Sequence, residues 1–268
     1  MMQTKVKCMF PRRVNADMIM ALPLKKCPLE IALVQTEEEL DIALQEISTE
    51  TILGFDTETR PNFSRHQHYK VSILQLGGAN KIWVIRLIPL QNRLADIYKV
   101  LENPNIVKAG LAVQGDIRAL SQRCAFKAEN FIDVAKFTTK IGIINTGMKN
   151  LAAVFLGERI SKSSQMSNWE AETLTQKQID YAATDAWMSR RLYLEVLDVI
   201  EKDNYVLEPE PEPEPEPIFE RMFKQFCSDV KEAFKSAKKK IKTLLHKPQP
   251  KKKKRRRKRK AKKPDNIA

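Results

Sequence analysis

A chain of 268 residues, 43% of them apolar, is long enough to bury one ordinary core and to carry extensions. Its net charge of +14 is concentrated at one end: from Glu208 onward there are 21 Lys and Arg against 9 Asp and Glu, whereas residues 1–207 hold 26 against 24. No apolar run reaches the roughly 18 residues of a membrane-spanning helix. The run Met18–Leu22, closed by Pro23, is too short even for a signal-peptide core, so an intracellular, soluble protein is expected, cytoplasmic or, in a host with a nucleus, nuclear. The four cysteines, Cys8, Cys27, Cys124 and Cys227, form no CxxC pair, which argues against a zinc site and against a disulfide framework.

Residues 1–28 carry no clear periodicity and read as an irregular N-terminal arm. Ile31–Val34 is a short apolar strand. Thr36-Glu37-Glu38-Glu39 then fits a capping box, and Leu40, Ile42, Ala43, Leu44 and Ile47 give the helix that follows its apolar face. Residues 51–56 form an apolar strand. Residues 71–76 and 81–85 are two more strands, and Gly77-Gly78-Ala79-Asn80 between them predicts an antiparallel hairpin. Helical spacing runs over 90–101, a short buried strand over 106–110 and a helix over 113–124. Further helical stretches lie around 134–141, 148–156 and 175–200. Early strands followed by strands alternating with helices imply an α/β domain, a mixed sheet flanked by helices, over 29–205.

Five side chains in three segments stand out. Asp56 and Glu58 are two apart at the end of an apolar strand, so they share a face. Asp116 lies just inside a helix that follows a buried strand. Tyr181 and Asp185 are four apart on a helix and also share a face. Each has a plainer reading alone: polar residues where a strand exits, a carboxylate favoured by a helix N-terminus, a Tyr packed on the core beside an exposed Asp. Their joint occurrence, in this order and at the ends of regular elements, points to a shared site. Four converging carboxylates repel one another and cannot all stay ionised without cations between them. Two hard divalent metals are the natural counter-charge, and phosphodiester hydrolysis is the chemistry they serve.

Those residues sit in Phe55-Asp56-Thr57-Glu58-Thr59, in Val107-Lys108-Ala109-Gly110 running to Gln114-Gly115-Asp116, and in Tyr181-Ala182-Ala183-Thr184-Asp185-Ala186. With Ser161-Lys162-Ser163-Ser164-Gln165, Ser167-Asn168-Trp169 and Leu174-Thr175, the chain resembles, over about 30–200, the DEDD-superfamily 3′–5′ exonucleases of the ribonuclease H-like fold. The tyrosine subclass, of the ribonuclease D and Werner exonuclease type, is the match. The resemblance implies that Asp56, Glu58, Asp116 and Asp185 hold two divalent ions, Mg²⁺ or Mn²⁺. It implies that Tyr181 helps orient the attacking water, and that nucleoside 5′-monophosphates leave from the 3′ end of DNA or RNA. A free Tyr has a pKa of about 10, which suits Tyr181 to hydrogen bonding rather than to general-base work. Arg60 and Lys108 neighbour these motifs and are weaker candidates for phosphate contacts. His66 and His68 read as solvated loop residues, and Trp169 as packing.

The pattern of residues 206–268 predicts no helical substrate-binding domain of the size ribonuclease D carries. Residues 206–217 contain five Glu-Pro repeats, an extended spacer stiffened by proline and by like charges. Residues 218–246 have apolar residues at helical spacing and predict an amphipathic helix. Residues 247–268 include KKKKRRRKRKAKK and predict a disordered basic tail. That tail suits polyanion anchoring or nuclear targeting, and without aromatics it offers no base stacking. Nucleic acid is thus the expected partner. The competing reading is a non-catalytic nucleic-acid-binding or scaffold protein that keeps the fold; a weaker third is partner recruitment by the 218–246 helix.

Overall fold

The apolar stretches of the first half are each bounded by a turn or a helix, and those boundaries set the direction in which they pair. In the computed structural model, residues 8–63, 68–202 and 205–209 are described, with six positions beyond them: 222, 225, 228, 231, 232 and 235. In chain order the elements are β1 (Cys8–Phe10), α1 (Ala16–Met20), β2 (Glu30–Val34), α2 (Glu37–Ile47), β3 (Ile52–Glu58), β4 (Ile73–Gly77), β5 (Lys81–Arg86), α3 (Leu94–Glu102), β6 (Val107–Gly110), α4 (Gln114–Ser121), β7 (Phe131–Asp133), α5 (Val134–Lys140), α6 (Met148–Leu151) with a wider helical turn Ala152–Leu156, α7 (Gln176–Lys202) and β8 (Tyr205–Leu207).

Six strands form one mixed sheet in the order β2-β5-β4-β3-β6-β7. The expected β4–β5 hairpin is antiparallel, as is β3–β4, whereas β2–β5, β3–β6 and β6–β7 are parallel. Helices cover both faces, which is why the central strands are apolar on both sides. Leu53, Phe55, Leu74 and Leu76 face a core shared with Leu40, Ile47, Ile97 and Leu101 of α2 and α3. Ile73, Ile82 and Val84 face the opposite way, onto Ala182, Ala183 and Ala186 of α7. The Thr36 capping box is formed, each half closing on Glu39.

One close approach positions everything that follows. Gly54 and Gly77 are cross-strand partners on β3 and β4. A side-chain carbon at either would collide with the Ala186 carbonyl, so this glycine pair lets α7 lie directly on the sheet.

The N-terminal arm departs from its irregular reading. β1 pairs in parallel with β8, Cys8 opposite Tyr205 through Phe10 opposite Leu207. α1 is capped by the Asn15 side chain, which accepts from the Met18 N–H at 2.8 Å. Phe10 packs on Phe155 with ring centroids 5.0 Å apart. A three-residue strand shows no alternation of its own; the partner that makes it a strand lies almost two hundred residues away. The same pairing runs to Leu207, past the 205 at which the sequence pattern ends.

The chain divides into two units, Met1–Glu210 and Pro211–Ala268. In the second, the six described positions are helical and exposed. The remainder of 218–246, residues 210–217 of the Glu-Pro spacer and the whole basic tail lie outside the described residues. No helix among the described residues is long and apolar enough to cross a membrane.

Candidate active site

β3 delivers Asp56 and Glu58 to one face of the sheet, and α7, pressed onto that face by the Gly54–Gly77 contact, delivers Asp185 one residue before Ala186. Each of these three carboxylates offers an oxygen, and the three oxygens lie within 4.8 Å of one another. Glu58 and Asp185 are buried and Asp56 partly so. They line a cavity of about 230 Å³ together with Tyr181, Lys162, Gln165 and Thr57, closed on its apolar side by Leu111, Met148 and Ile160.

Asp116 is not in that group. It sits in the first turn of α4, where the Thr57 hydroxyl donates to its Oδ1 at 2.5 Å. Thr57 alternates with Asp56 and Glu58 along β3, so this bond holds Asp116 beside the three carboxylates rather than among them. Asp116 still acts on them through its charge, raising the pKa of both Asp56 and Glu58. The loop that leads into α4 passes through Ala112 at φ 54, a left-handed conformation uncommon for a residue with a side chain. Its N–H donates to Asp133 Oδ1 at 3.1 Å. Asp133 thus fixes the entry to α4; no local pattern in the sequence marks it for that role.

The electrostatics follow from crowding like charges in a poorly solvated place. Burial pushes the Glu58 carboxyl up to about 9, with Asp56, Asp185 and Asp116 adding to it. Burial lifts Asp185 to about 7, against the Tyr181 hydroxyl and the Lys162 ammonium, which pull it down. Asp56 is raised well above the usual carboxylate range by burial and then by Asp185 and Asp116. Asp116 is raised by burial despite its bond from Thr57. Tyr181, half-buried against Trp169 with ring centroids 6.0 Å apart, is raised by burial and by the neighbouring carboxylates. The donor set is all oxygen and compact, with Lys162 the one ammonium in the lining, which fits a hard divalent cation.

Two cavity residues escaped the reading of single residues. Lys162 and Gln165 lie in a polar loop whose local pattern predicts no element, and only the packing of that loop against α7 brings them to the carboxylates. Gln75, opposite Asp56 in the β3–β4 ladder, is fully buried and neither atom of its amide has a hydrogen-bond partner among the described residues. Of the weaker candidates, Lys108 is buried, and its ammonium donates to the carbonyls of Asn103 at 2.7 Å and Ile106 at 2.8 Å, a structural duty. Arg60 pairs with Glu170 at 3.4 Å and lies over the Tyr69 ring. His68 is exposed, and His66 lies outside the described residues.

A family model described as 3′–5′ exonuclease matches residues 31–201, which run from β2 into the last turn of α7. This chain belongs to the 3′–5′ exonuclease family. Its relatives include exonuclease mut-7 of Caenorhabditis elegans, 25% identical over 206 residues, covering 65% of this chain and 23% of that protein. Ribonuclease D of Granulibacter bethesdensis is 29% identical over 175 residues, covering 64% of this chain and 43% of that one. Among solved structures, the EXO domain of Aedes aegypti Nibbler superposes with a TM-score of 0.61 at 20% identity, covering 68% of this chain and 94% of that domain. The fold is the mixed α/β sheet of the ribonuclease H-like exonucleases. The family uses divalent metals, and an acidic cluster whose geometry could hold one lies at β3 and α7. The chain spans less than half the length of these two curated relatives.

Proposed function

We propose that this chain is a metal-dependent 3′–5′ exonuclease that removes nucleoside 5′-monophosphates from polynucleotide 3′ ends, with RNA as the substrate class. The observation that carries the reading is the convergence of Asp56, Glu58 and Asp185 within 4.8 Å in a cavity that also holds Tyr181 and Lys162. The ribonuclease D relative speaks for RNA. Asp56, Glu58 and Asp185 would hold the metal, Mg²⁺ or Mn²⁺, and Asp116 is the fourth carboxylate that would hold it. A bound divalent pair supplies a nucleophile near neutral pH and stabilises the leaving 3′ oxygen. Tyr181 keeps its proton, because its pKa is raised; its O–H faces Asp185, and its oxygen accepts from and orients the attacking water without removing its proton. Lys162 offers the cavity a positive charge for a phosphate oxygen. Leu111, Met148 and Ile160 form the apolar wall that excludes bulk water and strengthens these electrostatic contacts. The basic run 251–263 serves as a sequence-indifferent anchor for the same polyanion.

The test uses the full chain with 5′-labelled single-stranded RNA, single-stranded DNA and duplex DNA, each with Mg²⁺ or Mn²⁺. The expected result is a ladder shortening from the 3′ end, faster on RNA, abolished by EDTA and by Asp56→Ala. Cleavage by Asp56→Ala at the wild-type rate would overturn the site assignment. Binding without cleavage on any substrate would move the assignment to a nucleic-acid-binding scaffold.

A further inference from the structure

A second cavity, of about 320 Å³, lies on the other side of Tyr181, which lines both. Its chemistry is the reverse of the first. Three ammonium groups line it, Lys25 and Lys26 from the arm and Lys177 from the first turn of α7, against one carboxylate, Asp180. Asp180 is already engaged, by Lys26 at 3.6 Å and by the Gln176 amide at 2.8 Å. Lys25 and Lys177 have no ion pair among the described residues. Ser163, Ser164 and Thr184 line the same wall, where the Ser164 hydroxyl donates to the Lys177 carbonyl at 3.3 Å and the Thr184 hydroxyl to the Asp180 carbonyl at 2.6 Å.

The arm is fastened where it carries these lysines. Arg159 donates its N–H to the Pro23 carbonyl at 3.0 Å and accepts from the Lys25 N–H at 2.8 Å, while its Nε donates to the Leu22 carbonyl at 2.8 Å. Two residues on, the Cys27 N–H donates to Thr184 Oγ1 of α7 at 3.1 Å. Lys25 and Lys26 are thus held between two fixed points. Lys177 faces them from a first helical turn that contains no acidic residue, whereas α2 opens with three glutamates. A cation at a helix N-terminus opposes the macrodipole, and an anion placed there is stabilised by both.

We infer that this cavity is a phosphate-binding subsite that holds a backbone phosphate of the nucleic-acid strand next to the nucleotide being removed. The inference rests on the exonuclease reading for the strand's identity. The excess of ammonium groups over carboxylates and the continuity with the carboxylate cavity through Tyr181 carry the rest. A phosphate diester is the group that this donor set recognises, and a strand whose 3′ end lies at Asp56 and Asp185 has one to offer on the far side of Tyr181.

The test compares the full-length chain with Lys25→Ala/Lys177→Ala on two substrates, a dinucleoside monophosphate, which carries the scissile phosphate alone, and a hexanucleotide. The basic tail is the same in both proteins and cancels from the ratio. The expected result is a KM for the hexanucleotide raised about tenfold, with the loss in kcat/KM on it about tenfold larger than on the dinucleoside. The salt dependence of its binding should weaken by about 0.7 in log–log slope, the share of one phosphate on a single strand. Lys25→Arg/Lys177→Arg should keep most of the affinity, which separates lost charge from a damaged fold. Anisotropy of the labelled hexanucleotide, measured in an Asp56→Asn background, reads the subsite without turnover: a weaker Kd there supports it even if the wild type cleaves nothing. An unchanged Kd and KM, or equal losses on both substrates, would overturn it. Weaker inhibition by a 5′-mononucleotide with an unchanged hexanucleotide KM would overturn it too, by giving the cavity to the product.

Discussion

Tyr181 separates two cavities that handle charge in opposite ways. On one side, carboxylates from β3 and α7 are crowded together and shielded from water, and burial drives the pKa of each upward. On the other, three lysines stand exposed around one occupied carboxylate. Buried like charges are costly until a counter-ion arrives, so the first cavity is built around a ligand that must bind for the site to be at ease. Exposed ammonium groups cost little when free, so the second tolerates emptiness and gains only when a polyanion is present. The first cavity should therefore govern kcat and metal dependence, and the second KM and salt dependence.

The sharpest way to break that division is to remove charge from the acidic side. Asp185→Asn keeps the shape of the α7 contact and deletes one of the three converging carboxylates. A loss of about 10³-fold or more in kcat on every substrate length is expected, equivalent to roughly 4 kcal/mol of transition-state stabilisation. The measurement is single-turnover cleavage at saturating Mn²⁺. A loss confined to KM would mean that Asp185 binds strand rather than metal.

A smaller effect tests the wall between the cavities. Tyr181→Phe keeps the ring that packs on Trp169 and removes the hydroxyl. We expect kcat to fall about 10- to 100-fold, with the pH–rate profile unchanged in shape between pH 7 and 9. A positioning hydroxyl with a raised pKa does not titrate there, whereas a general base would leave with its own limb of the profile. Loss of a rising limb in the variant would reassign Tyr181 to proton abstraction.

The two cavities also differ in how far the sequence announces them. Asp56 with Glu58, and Tyr181 with Asp185, are legible because spacings of two on a strand and four on a helix fix direction within one element. The β4–β5 hairpin is legible for the same kind of reason, since Gly77 and Gly78 mark its turn. Residues that act through another element are not. Lys25 lies in an arm with no periodicity, and its place depends on Arg159 and Thr184, both more than a hundred residues away. Asp133 acts on Ala112 across a loop. β7, three residues long, carries too few positions for an alternation to be read. Asp116 is legible as a carboxylate at the start of a helix, but its bond from Thr57 belongs to the packing of α4 on β3.

The smallest effect is on stability, and its sign follows from the Glu58 carboxyl. Its pKa rises from 4.5 to about 9 on folding. Between those values the folded, metal-free protein binds a proton at Glu58 that the unfolded chain has released, so the Glu58 contribution to stability is fully present below 4.5 and is lost as pH climbs toward 9. Glu58→Gln removes that proton uptake while keeping the side chain's size. The metal-free variant should match the wild type near pH 4 and exceed it at pH 8 by about 1–3 kcal/mol, a few degrees in Tm. Adding Mg²⁺ or Mn²⁺ should reverse the order, because the wild type gains a bound cation and the variant has lost one of the carboxylates that hold it. Thermal melts at the two pH values, with EDTA and with metal, separate the cases. Equal Tm values at pH 8 without metal would mean that the acidic cavity is already neutralised by something within the protein, and the contrast with the lysine cavity would then lose its physical basis.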